Sequence, residues 1–118
     1  MLYDATPDYA HSLEVRDPRR LLFVSGTMGL DADGTAPPTL EAQLELVWDN
    51  LRAILAASDM TVDHVVRVTS YLRDAAYVDA NAAARVKALN GRAVPTTAIV
   101  VETLTPEWLV EIELIAAG

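Results

Sequence analysis

The sequence predicts an α+β fold in which one sheet carries two helices on a single face. Three observations lead there. Two stretches of helical periodicity, 40–57 and 75–89, flank a run rich in β-branched residues at 62–72. The C-terminal run 95–116 alternates as strands do, on either side of the turn-like Thr105-Pro106. No repeat, linker or charge block divides the 118 residues, so they form one domain, long enough to bury a core without staples.

Residues 1–10 read as irregular. A short alternating run at 13–16, the turn signal Asp17-Pro18 and a buried-strand pattern at 21–25 together suggest a hairpin ending in Ser25-Gly26. Asp31-Ala32-Asp33-Gly34 and Pro37-Pro38 mark a loop. Thr39 offers an N-cap to the first helix, with Glu41 favourable in its first turn. Leu40, Leu44, Val47, Leu51 and Ile54 or Leu55 form its buried stripe.

In the strand at 62–72, Val66, Val68 and Leu72 share one face, and Val65, Arg67, Thr69 and Tyr71 the other. Asp74 can cap the Ala-rich second helix, and Asn90-Gly91 ends it. The last run reads as a hairpin at the centre of the sheet. Val110, Ile112 and Leu114 take one face, and Leu109, Glu111, Glu113 and Ile115 the other. The expected order is β-β-α-β-α-β-β.

By this parity the helices cover Val66, Val68, Ile99, Val101, Ile112 and Leu114. The opposite face carries Arg67, Thr69, Tyr71, Thr96, Ala98, Glu111 and Glu113, with no covering element in the chain. A second copy is the expected cover, with any ligand site at the boundary between copies.

Composition narrows the function classes. A net charge of −8 argues against nucleic acid as a partner, though one local arginine could still hold a small anion. Without cysteine there is no disulfide framework, thiolate nucleophile or Cys-based metal site, which suits a cytoplasmic protein. No apolar run reaches the length of a membrane span, and residues 1–10 lack the pattern of a secretory signal, so neither membrane nor export is expected. His11 and His64 are too isolated for a metal centre, and no GxGxxG or Walker-type loop supports a nucleotide cofactor. The expectation is no cofactor and no metal.

Glu111 and Glu113 sit i, i+2 on one strand face. One of them could act as a general acid or base, directly or through a water. Same-face acids equally make structural salt bridges, for instance to Arg67. Glu111 is the choice for chemistry and Glu113 leans to structure. Ser25-Gly26-Thr27 reads either as a backbone cradle for an oxyanion or as an ordinary strand exit. Asn81, polar among alanines, is either a structural cap or a pocket residue.

Taken together, several segments resemble the Rid (YjgF) family of enamine and imine deaminases, also labelled endoribonuclease L-PSP. They are Leu21-Leu22-Phe23-Val24-Ser25-Gly26, Gln43 and Asn50-Leu51, the strand before Asn81, and Glu111-Ile112-Glu113-Leu114-Ile115-Ala116. The similarity runs in order from Tyr9 to Ala116. It implies a chorismate-mutase-like fold and a homotrimer whose sheets face a central barrel, with three clefts between subunits. It also implies cofactor-free hydrolysis of 2-aminoacrylate-type enamines or imines to keto acids and ammonia. Carried over, Glu111 positions the hydrolytic water, Ser25-Gly26 form the backbone cradle, and Tyr9 and Asn81 line the cleft.

One position departs from the family pattern. Thr96, with Ala98 beyond it on the same strand, stands where the deaminases carry an arginine for the substrate carboxylate, and Thr27 replaces the usual glutamine. Arg92 and Arg67 are the substitutes the sequence offers. Two function classes follow: a hydrolase of altered substrate preference that does not accelerate 2-iminopropionate hydrolysis, or a trimer that binds a small metabolite, or acts as a regulatory or chaperone-like surface, without turnover. A ribonuclease is disfavoured by the charge and by the lack of a basic, aromatic strip.

Overall fold

A computed structural model describes residues 1–118. The strands are β1 (Leu21–Met28), β2 (Val65–Leu72), β3 (Thr96–Val100) and β4 (Val110–Ala117), and the helices are α1 (Leu40–Ala56) and α2 (Val78–Ala88). The four strands form one sheet in the order β1-β4-β2-β3. β4 is central and antiparallel to both neighbours, whereas β3 pairs parallel with β2 at the edge.

The core lies between one sheet face and α1. Thr39 caps α1 by accepting from the Ala42 amide at 3.2 Å. The helix buries Leu44, Val47, Trp48, Leu51 and Leu55 against Val68, Ile112 and Leu114, while Ile54 turns outward. α2 differs: Ala80, Ala84 and Ala88 pack on the core, and two polar side chains, Asn81 and Arg85, are buried beside them. It stops where Asn90 and Gly91 adopt positive φ of 55° and 80°, the left-handed exit that ends many helices.

Five expectations are corrected. Residues 13–16 form no strand; Leu13 and Val15 are each 38% exposed with no partner strand. β1 is not buried throughout, because Leu21 and Phe23 project from the sheet's open face; only Val24 is fully buried, with Leu22 packed partly buried against the core. The C-terminal strands form no hairpin, since β2 lies between β3 and β4. In β2, residues 62–64 are a 3-10 turn, and a register shift between Val65 and Arg67 puts Val65 opposite core Ala116. The extra residue, Val66, is left half-buried rather than in the core.

The fifth concerns β3, the strand nearest the site. Thr96 and Ala98 pair with Val68 and Ser70 and so face the helices, not the open side. Ile99 pairs with Tyr71 on the open face, where it is 45% exposed. No helix is long and apolar enough to cross a membrane.

Candidate functional site

Residues singled out from the sequence fall into two groups on opposite faces of the sheet. The first group surrounds Glu111. β1 pairs Val24 with Leu114 and Thr27 with Ile112, so Ser25 and Gly26 together oppose one residue of β4. This bulge bends β1 over β4 and brings bare backbone against the acid. A Cβ added to Gly26 would lie 2.0 Å from Glu111 Oε2. Glycine here makes room for the carboxylate.

Glu111 belongs to none of the chain's three salt bridges. Its neighbour on the same face is committed differently: the Tyr71 hydroxyl donates a short hydrogen bond to Glu113 Oε1. That bond, followed by lost hydration, raises the Tyr71 pKa above its ordinary 10.0. Arg67, the expected partner of Glu113, instead donates to Thr97 Oγ1 at 3.2 Å. Tyr71, Thr103, Leu104, Glu111 and Glu113 border an open cleft of about 310 Å³. The i, i+2 pair is therefore divided, one carboxylate engaged and the other free.

The second group lies between α2 and the β3 edge. The Ala10 amide donates to Val94 O at 3.1 Å and Ala10 bridges Pro95, which fastens the N-terminal segment along this edge. Asp8 and Tyr9 thereby join Asn81, Arg85, Thr96 and Ala98 around a pocket of about 190 Å³. Tyr9 also meets the His11 ring edge-on, with centroids 5.7 Å apart.

Sequence reasoning missed Arg85. Its side chain is only 4% exposed, and its Nη2 donates to Asp8 Oδ2 at 2.6 Å and to Asp8 O at 3.3 Å. The Thr6 hydroxyl first, and the Arg85 guanidinium behind it, hold the Asp8 carboxyl below the ordinary 3.8, against the opposing effect of burial. Two buried polar atoms here have no partner, Asn81 Oδ1 and Arg85 Nε. The available signal was spacing: Asn81 and Arg85 stand i, i+4 on one helix face.

The two arginines weighed from sequence lie elsewhere. Arg92 donates to Val62 O at 3.0 Å and Val65 O at 2.6 Å, bracing the start of β2. Arg67 is on the open face. His64 accepts from the Thr61 amide through Nδ1 at 3.0 Å, closing a capping box. No group of three or more His, Asp or Glu converges as metal ligands would.

The family model for endoribonuclease L-PSP matches residues 3–118. The chain belongs to the Rid family. Among solved structures, the Rid-family protein YyfB from Yersinia pestis, of unknown function, superposes with a TM-score of 0.87 at 28% identity, over 99% of this chain and 92% of that one. The structure of the protein YjgH gives a TM-score of 0.74 at 35% identity, over 82% and 75% of the two chains. The RutC family protein YjgH of Escherichia coli is 48% identical over 54 residues, 46% of this chain and 41% of that protein. The protein DfrA of Myxococcus xanthus is 40% identical over 73 residues, 56% of this chain and 51% of that protein. The matched region thus spans about half the length of these curated relatives or less. The Rid fold accounts for the sheet order and the helix layer; which residues act on a ligand rests on the geometry above.

Proposed function

We propose that this Rid-family chain is a cytoplasmic homotrimer that hydrolyses small enamine- or imine-like metabolites without a cofactor, in clefts between subunits, with a preference shifted away from 2-iminopropionate. The observation that carries it is the split of the site. Glu111 and the Ser25-Gly26 bulge are on the open face, whereas Asn81, Thr96, Ala98 and Tyr9 are on the helix side of the β3 edge. One copy cannot bring both sets to a ligand. A neighbouring copy that lays its open face over the β3 edge can, and it would also cover the exposed Phe23, Ile99 and Leu104.

In that cleft Glu111 accepts a proton from water as the water oxygen adds to the carbon of the C=N bond. Glu111 passes that proton to the nitrogen, giving a carbinolamine, and the hydroxyl proton of the carbinolamine then moves to nitrogen by way of Glu111 as the C–N bond breaks. Ammonia and a carbonyl compound leave, and Glu111 regains its starting state. The shifted preference rests on Thr96. Its hydroxyl donates to Val94 O at 2.8 Å and offers no charge to a carboxylate.

A trimer that binds without turnover is the competing reading, and one observation favours it: the pocket under α2 assembles within one chain without Glu111. Ammonia release from a panel of neutral imines, alongside 2-iminopropionate generated in a coupled reaction, separates the two. Turnover of neutral imines that falls about 100-fold or more in Glu111→Gln is expected. Efficient 2-iminopropionate hydrolysis abolished by Glu111→Ala would overturn the shifted preference. Absence of turnover across the panel would overturn the hydrolase.

A further inference from the structure

We propose that Arg85, neutralised in place by Asp8, makes the pocket under α2 a receptor for a small uncharged amide- or imine-like group rather than for a free carboxylate. This rests on the reading that the pocket is part of the ligand cleft and goes further, by naming the residues that set its selectivity.

A buried guanidinium needs a counter-charge, and a missing one is among the more destabilising defects a fold can carry. In most anion sites the ligand supplies that charge. Here the chain supplies it: Asp8 meets Arg85 Nη2 at 2.6 Å. Asp8 is fixed in turn by the Thr6 hydroxyl and by the anchoring of Ala10 to Val94 and Pro95. An entering carboxylate would have to expel that aspartate or sit beside it, in a chain of net charge −8. The pocket therefore holds a guanidinium but presents no net charge.

Two of its lining residues, Asn81 and Arg85, carry one orphan acceptor and one orphan donor. Asn81 Oδ1 and Arg85 Nε are buried without hydrogen-bond partners, in residues that are 1% and 3% exposed. Buried polar atoms are seldom left so. A group carrying an N–H beside a C=O or C=N lone pair satisfies both, the N–H on Asn81 Oδ1 and the lone pair on Arg85 Nε–H. A carboxylate offers no donor for Asn81 Oδ1. The volume of about 190 Å³ suits a ligand of a few heavy atoms, below the roughly 300 Å³ where drug-sized pockets begin.

Titration of the full-length protein with acetamide and with acetate, followed by NMR at the Asn81 side-chain amide and the Arg85 Nε–H, tests this. Acetamide is expected to shift both signals saturably and acetate to bind at least tenfold more weakly. Asp8→Asn, which leaves Arg85 its full charge, is expected to reverse the order. Asn81→Ala keeps the ion pair and is expected to abolish the acetamide shift at Arg85, so the test survives if the Asp8 variant fails to fold. Acetate binding the unaltered protein as tightly as acetamide, or acetamide leaving both signals unmoved, would overturn the proposal. Acetamide binding without imine turnover would refute the hydrolase alone. Turnover with acetate and acetamide equal would refute this selectivity alone.

Discussion

Glu111 on β4 and Gly26 on β1 share one space: a side chain on Gly26 would begin 2.0 Å from Glu111 Oε2 and 2.9 Å from its Cδ. The obstructing atoms are the mobile end of a long side chain, so an alanine fits once the carboxylate moves. Gly26→Ala is expected to lower stability by only about 1 kcal/mol. Turnover is expected to fall nearly as far as in Glu111→Gln, where losing a general base lowers rate by about 100- to 10,000-fold. Thermal unfolding and ammonia release, measured together, separate the two effects. Full activity in the alanine variant would mean that the carboxylate's position is immaterial.

Gln43 should be a strong determinant of stability. It is 1% exposed, donates to Pro37 O and Glu107 O at 2.8 Å each, and accepts from the Leu109 amide at 2.9 Å. One side chain thus ties the loop before α1 to the entry of β4. Gln43→Leu strands buried backbone groups and is expected to cost about 2–4 kcal/mol, read from the urea midpoint.

The Asp8–Arg85 pair gives a pH signature. Breaking a fully buried pair costs about 3–5 kcal/mol, but the Asp8 side chain is 35% exposed, so about 1–2 kcal/mol is expected for Asp8→Ala after allowing for solvent screening. The folded-state value lies below the ordinary 3.8. The contribution is therefore present above 3.8 and lost as pH falls through the lower folded value. Stability of the unaltered protein and of Asp8→Ala should converge at strongly acidic pH and diverge toward neutrality. Parallel curves would contradict this.

Tyr71 reports on the opposite limb. Its folded value is raised above 10.0, chiefly by Glu113. The hydrogen bond contributes fully below 10.0 and is lost as pH rises through the higher folded value. Tyr71→Phe should cost about 0.5–1.5 kcal/mol at neutral pH and remove the late-titrating phenol from the tyrosinate absorbance curve.

Much of this was legible because local signals and tertiary structure agree. The Thr39 cap, the stripe through Leu44, Val47 and Leu51, and the Asn90-Gly91 stop each have a cause within a few residues. The faces of β4 could be assigned because apolar residues alternate there with acids. β3 could not be oriented the same way. Thr96, Thr97, Ala98, Ile99 and Val100 suit either face, and what fixes them is parallel pairing with β2, a contact distant in sequence.

Within the site, Glu111 was visible as an acid on a strand face, but its fit against Gly26 depends on a bulge that no short pattern announces. Arg85 was hidden by its setting. An arginine in an Ala-rich helix reads as surface, and only the packing of the N-terminal segment reveals that it is enclosed.

The proposed cleft brings a ligand to Glu111 of one copy and Asn81 of another. Sedimentation equilibrium at micromolar concentration tests it most directly. A stable assembly of three 12.8 kDa chains is expected. A stable monomer would contradict it, because Glu111 and Asn81 would then remain on opposite faces of the same sheet.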